Sequence, residues 1–563
     1  MHETLLLPVL VFLLLPAYFV HQSDELALDQ PRVLLVWSIL ALAGCVFTLI
    51  LAGMARLCGA SAAYVLAIRF ACYFVIFSGF FFPVASTISI SDPQQMEVNF
   101  PNLVICYVLA GTVVLALRYK FTWVQDILLL LVLFNAAYVG WGLYESHRSI
   151  PPRASLYSLS SEKNIVVLSF DGLTRAATNS ILRNDPLLGE AFSGFTIFAN
   201  VASSSPTTDA STLTSLLGNR NYRDVASTES ELWRLEPELL STNLALDSGF
   251  ETTTFGIYGR GFNRAERAHS ISSVTHDTMI HILNHSLSRT LTPYMTLRDD
   301  HSMALARVFR TALFVGVSEE RETLSQSINR SRAPEWKKLE MRSLFDWLDY
   351  MDALEADSDR PVAQFLHFSF THFPVELDQQ CQFRGADPGW IEANQNWNGV
   401  LAETHCALNM MARYVEHLEF LGVLDKTLLI LKSDHGKPVG YYPPGSYYDR
   451  SIQDHERWGV GRYAPFLAIR RPGTASSGIT WDERPAILDD LARTICLQLK
   501  TATFCDAYPG SDLLSPPGGT LMDDWVTVFV VKDSRSSYKF VDHVPLTVQR
   551  GRDIVRQIYT RTH

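Results

Sequence analysis

Two stretches constrain this chain more than any others. Asn164-Ile165-Val166-Val167-Leu168-Ser169-Phe170 and Leu428-Leu429-Ile430-Leu431 run apolar without the alternation of a half-solvated strand. That is the pattern of a strand covered on both faces in a largely parallel sheet. The first ends in Asp171-Gly172 and the second in Lys432-Ser433-Asp434-His435-Gly436. In open α/β sheets ligands gather beyond the carboxyl ends of strands, so ionisable groups at both ends are placed for chemistry. An Asp and a His side by side reach one ion only if the backbone turns sharply, and Gly436 permits such a turn.

A third stretch joins them. Ser203-Ser204-Ser205-Pro206-Thr207-Thr208-Asp209 lies between a strand-like segment, 195–201, and a helix-like one, 211–217. Strand, sharp turn and helix hold a hydroxyl at a helix N-terminus, where backbone N–H groups favour an anion. Alone, a Ser/Thr cluster before an apolar run reads as an N-cap, and an Asp-Gly after a strand reads as a turn. Three such positions together can converge on one metal ion, with Thr207 as its hydroxyl ligand. Thr371-His372-Phe373-Pro374 at another strand end and Asp454-His455 in a polar loop supply histidines for a phosphate or sulfonyl group.

Further strands are expected at 252–258, 362–370, 427–431 and 465–469, and helices at 339–354 and 398–421. This alternation implies an α/β fold, a mixed and mainly parallel sheet sandwiched by helices. Near the C-terminus 526–531, 538–541 and 554–559 read as short strands of a small antiparallel sheet. The segment 302–317 is amphipathic, with an ordinary core-facing helix and a bilayer-surface helix as its two readings.

Apolar residues crowd the first quarter of the 563-residue chain, in runs at 4–20, 33–57, 63–86, 103–119 and 124–144. Each approaches the roughly 20 residues that a bilayer-spanning helix needs. These runs give an expected transmembrane domain of five helices over 1–145, a linker over 146–163 and a catalytic domain over 164–563. Arg56, Arg118 and Lys120 against Asp24, Glu25, Asp29, Asp92 and Glu97 put the N-terminus in the cytoplasm and the catalytic domain outside. The expected location is therefore a cell (inner) membrane, multi-pass, with a periplasmic or extracytoplasmic catalytic domain. A net charge of −11 without a basic stripe excludes a nucleic-acid partner. Cys381, Cys406, Cys496 and Cys505 fall in that outer domain, where 381–406 and 496–505 are the local disulfide pairing.

With these motifs in this order, the chain resembles the sulfatase-like branch of the alkaline phosphatase superfamily. It is most similar to bacterial membrane phosphoglycerol and phosphoethanolamine transferases such as lipoteichoic acid synthase and lipid A phosphoethanolamine transferase. The resemblance implies one divalent metal, zinc or manganese, on Asp171, Thr207, Asp434 and His435. It implies Thr207 as nucleophile, with His372, His455 and Thr208 binding the substrate. A phospho-substituent would pass from a phospholipid donor through a phospho-threonine to a cell-envelope glycan or lipid acceptor. The alternatives are a sulfatase-like phosphodiesterase or sulfuric-ester hydrolase, and a catalytically silent lipid-sensing protein. Two departures stand out. The transferases place Glu where this chain has Asp171. Sulfatases require C/S-x-P-x-R, whereas Ser204-Ser205-Pro206-Thr207-Thr208 has Thr208 in place of Arg.

Overall fold

The structure is a computed structural model that describes residues 7–10, 31–78, 85–86, 97–98, 100–118, 154–218, 239–259, 266–267, 324, 327–328, 331, 333, 335–451, 459–475, 477–508, 510–515, 525–532, 539–547 and 553–557. The chain divides into two compact units, one of residues 1–151 with 269–318 and one of 152–268 with 319–563.

In the first unit the described helices are α1 (Pro31–Leu57), α2 (Ser61–Ile76) and α3 (Phe100–Arg118). Cys72, Tyr73, Phe74, Val75 and Ile76 of α2 bury against Cys106, Ala110 and Val113 of α3. With 16 residues, α2 rises about 24 Å, short of a hydrocarbon core of about 30 Å. Among the described residues no helix is long and apolar enough to cross a membrane. This overturns the five-span transmembrane domain. The cytoplasmic N-terminus, the inner-membrane location and a phospholipid donor presented at the bilayer all rested on those spans and fall with them. A run of apolar residues does not reveal whether another helix or lipid covers it. The segments 124–144 and 302–317 lie outside the described residues.

The second unit is built on one eight-stranded sheet. Its strands are β1 (Asn164–Phe170), β2 (Thr196–Phe198), β3 (Glu251–Phe255), β4 (Glu266–Arg267), β5 (Val362–Phe368), β6 (Thr427–Lys432), β7 (Leu467–Arg470) and β8 (Thr480–Asp482). They lie in the order β8-β2-β7-β6-β1-β5-β3-β4. Only β7 runs against the rest, pairing antiparallel with both β6 and β2. The central trio β6-β1-β5 is parallel, with Lys432 opposite Ser169 and Ser169 opposite His367.

Side chains alternate across the sheet, and each face has its own core. Val166, Leu168 and Phe170 of β1 join Leu429 and Leu431 of β6 on one face. Helices α4 (Arg175–Asn184), α6 (Glu335–Ala353) and α7 (Trp397–Phe420) contribute Leu182, Met341 and Leu408 to that core. Ile165, Val167, Leu428, Ile430, Ala363 and Phe365 point to the other face, which α5 (Thr208–Leu217) and α8 (Asp490–Leu499) cover with Leu213, Leu216, Leu491 and Ile495. The same alternation sends Ser169 and Asp171, Lys432 and Asp434, and His367 toward the α5 face. The site therefore lies where α5 begins.

Cys381 pairs with Cys406 and Cys496 with Cys505, as the local spacing anticipated. Loop-closure entropy for a separation of 25 residues corresponds to about 3.5 kcal/mol. Replacing both Cys381 and Cys406 with alanine is expected to lower the unfolding free energy by about 2–4 kcal/mol in urea titrations. A loss no larger than that caused by adding reductant to the wild type would locate the effect in the bond itself.

Trp525–Lys532 and Lys539–Thr547 form an antiparallel pair, as expected near the C-terminus. Residues 554–557 are helical, not the expected strand. There Ile554 N–H donates to Asn200, and Ile554 and Val555 bury against Val460 and Tyr463. Tertiary packing overrides a weak local preference.

Candidate active site

Three parallel strand ends deliver the ionisable groups. Beyond β1 the ladder continues for one bond, from Asp171 N–H to the Phe368 carbonyl. Gly172 then turns the chain at φ +67°, a conformation that a Cβ resists. Its N–H donates to Asp434 Oδ1 at 3.0 Å and locks the two loops together. Hydroxyls satisfy the carbonyls left over at the strand ends. Thr371 donates to Asp171 O, Ser211 to Asp434 O and Ser433 to Leu173 O. Gly436 is required for space: a Cβ there would stand 2.2 Å from the Gly461 carbonyl oxygen.

This scaffold brings Asp171, Asp434 and His435 together. His435 Nε2 lies 3.3 Å from Asp434 Oδ2 and 3.7 Å from Asp171 Oδ1. His367 Nε2 approaches Asp171 Oδ2 at 3.5 Å. Two overlapping donor sets result, Asp171/His372/His435 and Asp171/His367/Asp434, each with all donor atoms within 4.8 Å of one another. Either set can hold a divalent metal ion. Asp171 Oδ1, Asp434 Oδ2 and His367 Nε2 are buried and lack a hydrogen-bond partner. Buried polar atoms are nearly always satisfied, so this trio fits a site completed by a cation. Carboxylate oxygens with imidazole nitrogens form a donor set that suits such an ion.

The two threonines separate at the N-terminus of α5. Thr208 Oγ1 lies 3.1 Å from His435 Nε2 and 3.4 Å from Asp171 Oδ2. Thr207 is the N-cap, its hydroxyl 3.1 Å from Ser205 Oγ. Ser204, the residue in the sulfatase nucleophile position, points elsewhere: its hydroxyl bonds Asp489 and Thr214. Arg462 Nε braces the turn through the Pro206 carbonyl.

Electrostatics prepare the cluster for a cation. Burial and the Arg462 guanidinium push His435 down to about 3, against the pull of Asp434 and Asp171. Its imidazole is therefore neutral and keeps a lone pair for a ligand. Burial pushes Asp171 up, but the surrounding histidines, His372 first, hold it well below the usual carboxylate range. Burial and Asp171 likewise raise Asp434, while His435, His367 and Lys432 bring it below its ordinary value. Burial takes the Lys432 ammonium down to about 8.

His372 sits at the edge of the cluster, its ring 6.0 Å from that of His435. Glu340 Oε2 holds its Nδ1 at 3.0 Å, and Lys337 donates to its carbonyl. His455 lies outside the described residues. Sequence reading missed His367, Lys432, Glu340 and Arg462. A histidine and a lysine near the ends of expected strands were the available signal for the first two. Glu340, on α6, gave none.

The sulfatase family model matches residues 163–499. No curated protein matches the chain. Among solved structures, the chain is similar to the phosphonate monoester hydrolase SpPMH from Silicibacter pomeroyi, at 13% identity over 66% of this chain and 80% of that one, with a TM-score of 0.38. The C-terminal periplasmic domain of EcEptC from Escherichia coli gives 12% identity, 66% and 92% coverage and a TM-score of 0.35. The putative sulfatase yidJ from Bacteroides fragilis gives 14%, 66% and 82%, and 0.37. Likenesses this faint do not single out the membrane transferases. That narrower resemblance is overturned by the sulfatase match together with the lack, among the described residues, of a membrane-crossing helix. The matched region holds both carboxylate strand ends, the Thr208 turn and both donor sets, and covers more than half of the sequence: the chain belongs to the sulfatase family.

Proposed function

We propose that this chain is a metal-dependent hydrolase of phosphate diesters, with the Thr208 hydroxyl as nucleophile and water as the final acceptor. One observation carries the reading. Thr208 Oγ1 stands at the N-terminus of α5, 3.1 Å from His435 and 3.4 Å from Asp171, beside buried carboxylate and imidazole atoms that have no hydrogen-bond partner. A divalent ion held by Asp171, Asp434, His435 and His367, zinc or manganese by donor type, would polarise the ester oxygens and make the hydroxyl a better nucleophile.

The chain's own groups divide the remaining work. The α5 N-terminus offers backbone N–H groups to the anionic phosphoryl oxygens. Asp171 Oδ2 accepts a hydrogen bond from Thr208, orients its attack on phosphorus and takes up the hydroxyl proton. His372, aimed by Glu340, is placed to protonate the departing alcohol. Water then releases the phosphoryl group from Thr208. A sulfuric-ester hydrolase using an aldehyde-derived nucleophile is disfavoured, because Ser204 is turned toward Asp489 and Thr208 replaces the arginine of that motif.

The test uses the purified full-length chain with Mn²⁺ or Zn²⁺, and bis-p-nitrophenyl phosphate beside p-nitrophenyl sulfate. Turnover of the phosphate diester at least about 100-fold above the sulfate is expected, since a site built for one ester discriminates at this scale. Preference for the sulfate would replace this reading with the sulfuric-ester one. No turnover of either by metal-loaded protein would sink both.

A further inference from the structure

One side chain outside the metal cluster is joined to all three segments that build it. Arg175 is the first residue of α4, and its side chain is fully buried. Its N–H donates to the Ala464 carbonyl and anchors the backbone that follows Asp171-Gly172. Its Nη1 donates to Asn200 Oδ1 at 3.1 Å and to the Val201 carbonyl at 2.9 Å. Those two residues lead into the turn that carries Thr208. Within the turn Ser205 N–H donates to the Ser203 hydroxyl, whose oxygen lies 2.9 Å from Ser211 Oγ. The turn is thus tied internally and follows its entry. Arg175 Nη2 donates to the Tyr448 hydroxyl at 3.1 Å. Tyr448 stacks on Tyr442, ring centroids 5.5 Å apart, and the Tyr442 hydroxyl accepts the Lys437 N–H, two residues beyond His435.

The counter-charge comes from far along the chain. Asp553, 378 residues away, pairs with Arg175 Nη2. Its neighbours seat it. Ile554 N–H donates to Asn200 Oδ1, the oxygen that Arg175 also uses, and the Tyr447 hydroxyl meets the Val555 carbonyl at 3.5 Å. Ile554 and Val555 bury against Ala202, Val460, Tyr463 and Ile487. Ala202 lies on the entry to the Thr208 turn, and Arg462, between Val460 and Tyr463, bonds the Pro206 carbonyl within it. For packing alone the apolar residues of 553–557 would serve. A buried ion pair adds little net stability over an apolar pair of the same size. What a guanidinium adds is a planar fork that fixes the direction of every bond it makes.

We propose that the Arg175–Asp553 pair is a positioning tie for the reaction, through which the seated 553–557 segment sets the approach of the Thr208 hydroxyl to the strand ends. The inference rests on the hydrolase reading above. Neither residue touches substrate or an ion; both act through the turn. A loosened tie slows attack and leaves ion loading as it is, because Asp171, Asp434 and His435 stand at strand ends that the sheet itself holds.

The experiment compares full-length Asp553→Ala with the wild type. It measures bis-p-nitrophenyl phosphate turnover, Mn²⁺ affinity by equilibrium dialysis, and amide hydrogen exchange of peptides covering 201–211. In Asp553→Ala kcat is expected to fall about 30-fold or more, since a misplacement of about 1 Å costs about 100-fold. KM and Mn²⁺ affinity should change by less than about threefold, while exchange over 201–211 should quicken about tenfold or more as the turn opens locally. Asp553→Asn repeats the test should the alanine variant lose its circular-dichroism fold. Unchanged kcat or unchanged exchange in a folded variant overturns the proposal. So does a fall of Mn²⁺ affinity in step with kcat, which would make the pair a support of the whole site, and so does loss of fold in both variants. A wild type that turns over no diester overturns the hydrolase reading and this inference with it, an outcome distinct from failure of the Asp553 variants alone.

Discussion

Replacing Thr208 with valine is expected to lower kcat/KM for the phosphate diester by at least about 1,000-fold, the scale on which removing a nucleophile acts. Valine keeps the branched shape at the first position of α5 and deletes only the hydroxyl that meets His435 and Asp171. The helix should therefore form as before, and Mn²⁺ affinity should change by less than about tenfold, because the carboxylates that dominate cation binding are untouched. Thr207→Val gives the contrast. Its hydroxyl meets Ser205, so the expected loss is about tenfold or less, from a loosened turn. Peptide mass spectrometry after quenching in acid supplies a second readout: a phosphoryl adduct on the peptide holding both residues, lost in Thr208→Val and kept in Thr207→Val. Full activity in Thr208→Val with loss in Thr207→Val would return the nucleophile to Thr207, as the family resemblance implies.

The difference between those two threonines marks where sequence stops being legible. The buried strands 164–170 and 427–432 could be read because a fully covered strand leaves an unbroken apolar run, and their ends announced Asp171, Asp434 and His435. Strand bounds in the main sheet shifted by up to three residues, as at Glu251–Phe255, where a tight turn at Gly256 ends the expected strand early. Which of two adjacent threonines faces a cluster depends on the helix phase at its first residue. The pattern 211–217 did not reveal that phase, and the helix begins three residues earlier, at Thr208. His367 and Lys432 were hidden differently. Each stands opposite Ser169 on a neighbouring strand, and strand order is a long-range property that no local run encodes. The apolar N-terminal runs misled for a related reason: hydropathy records that a side chain avoids water, not what covers it.

Asp434→Asn carries the second large expected effect, and its sign on stability distinguishes a working group from a structural one. Asp434 is fully buried, accepts the Gly172 N–H through Oδ1 and leaves Oδ2 without a hydrogen-bond partner. Asparagine preserves the first contact. It replaces the second oxygen with an N–H₂ that can donate to Asp171, and it removes one of two facing carboxylate charges. Divalent-ion affinity is expected to fall by about 100-fold or more, since an anionic ligand becomes a neutral one that offers a donor, and turnover at fixed Mn²⁺ should fall with it. The metal-free protein, however, should be as stable as the wild type or more so. Asparagine relieves the repulsion between two buried carboxylates, keeps the Gly172 contact and can donate to Asp171, and these gains, set against the lost attraction of His435, His367 and Lys432, leave the metal-free fold no weaker. Thermal melts with and without Mn²⁺ read both effects at once. Wild-type Tm should climb with metal concentration as binding to the native state demands, whereas Asp434→Asn should start at or above the metal-free wild type and stay flat. A variant that melts well below the metal-free wild type would assign Asp434 to the core rather than to an ion, because a residue held only by packing and hydrogen bonds has no charge cost to relieve.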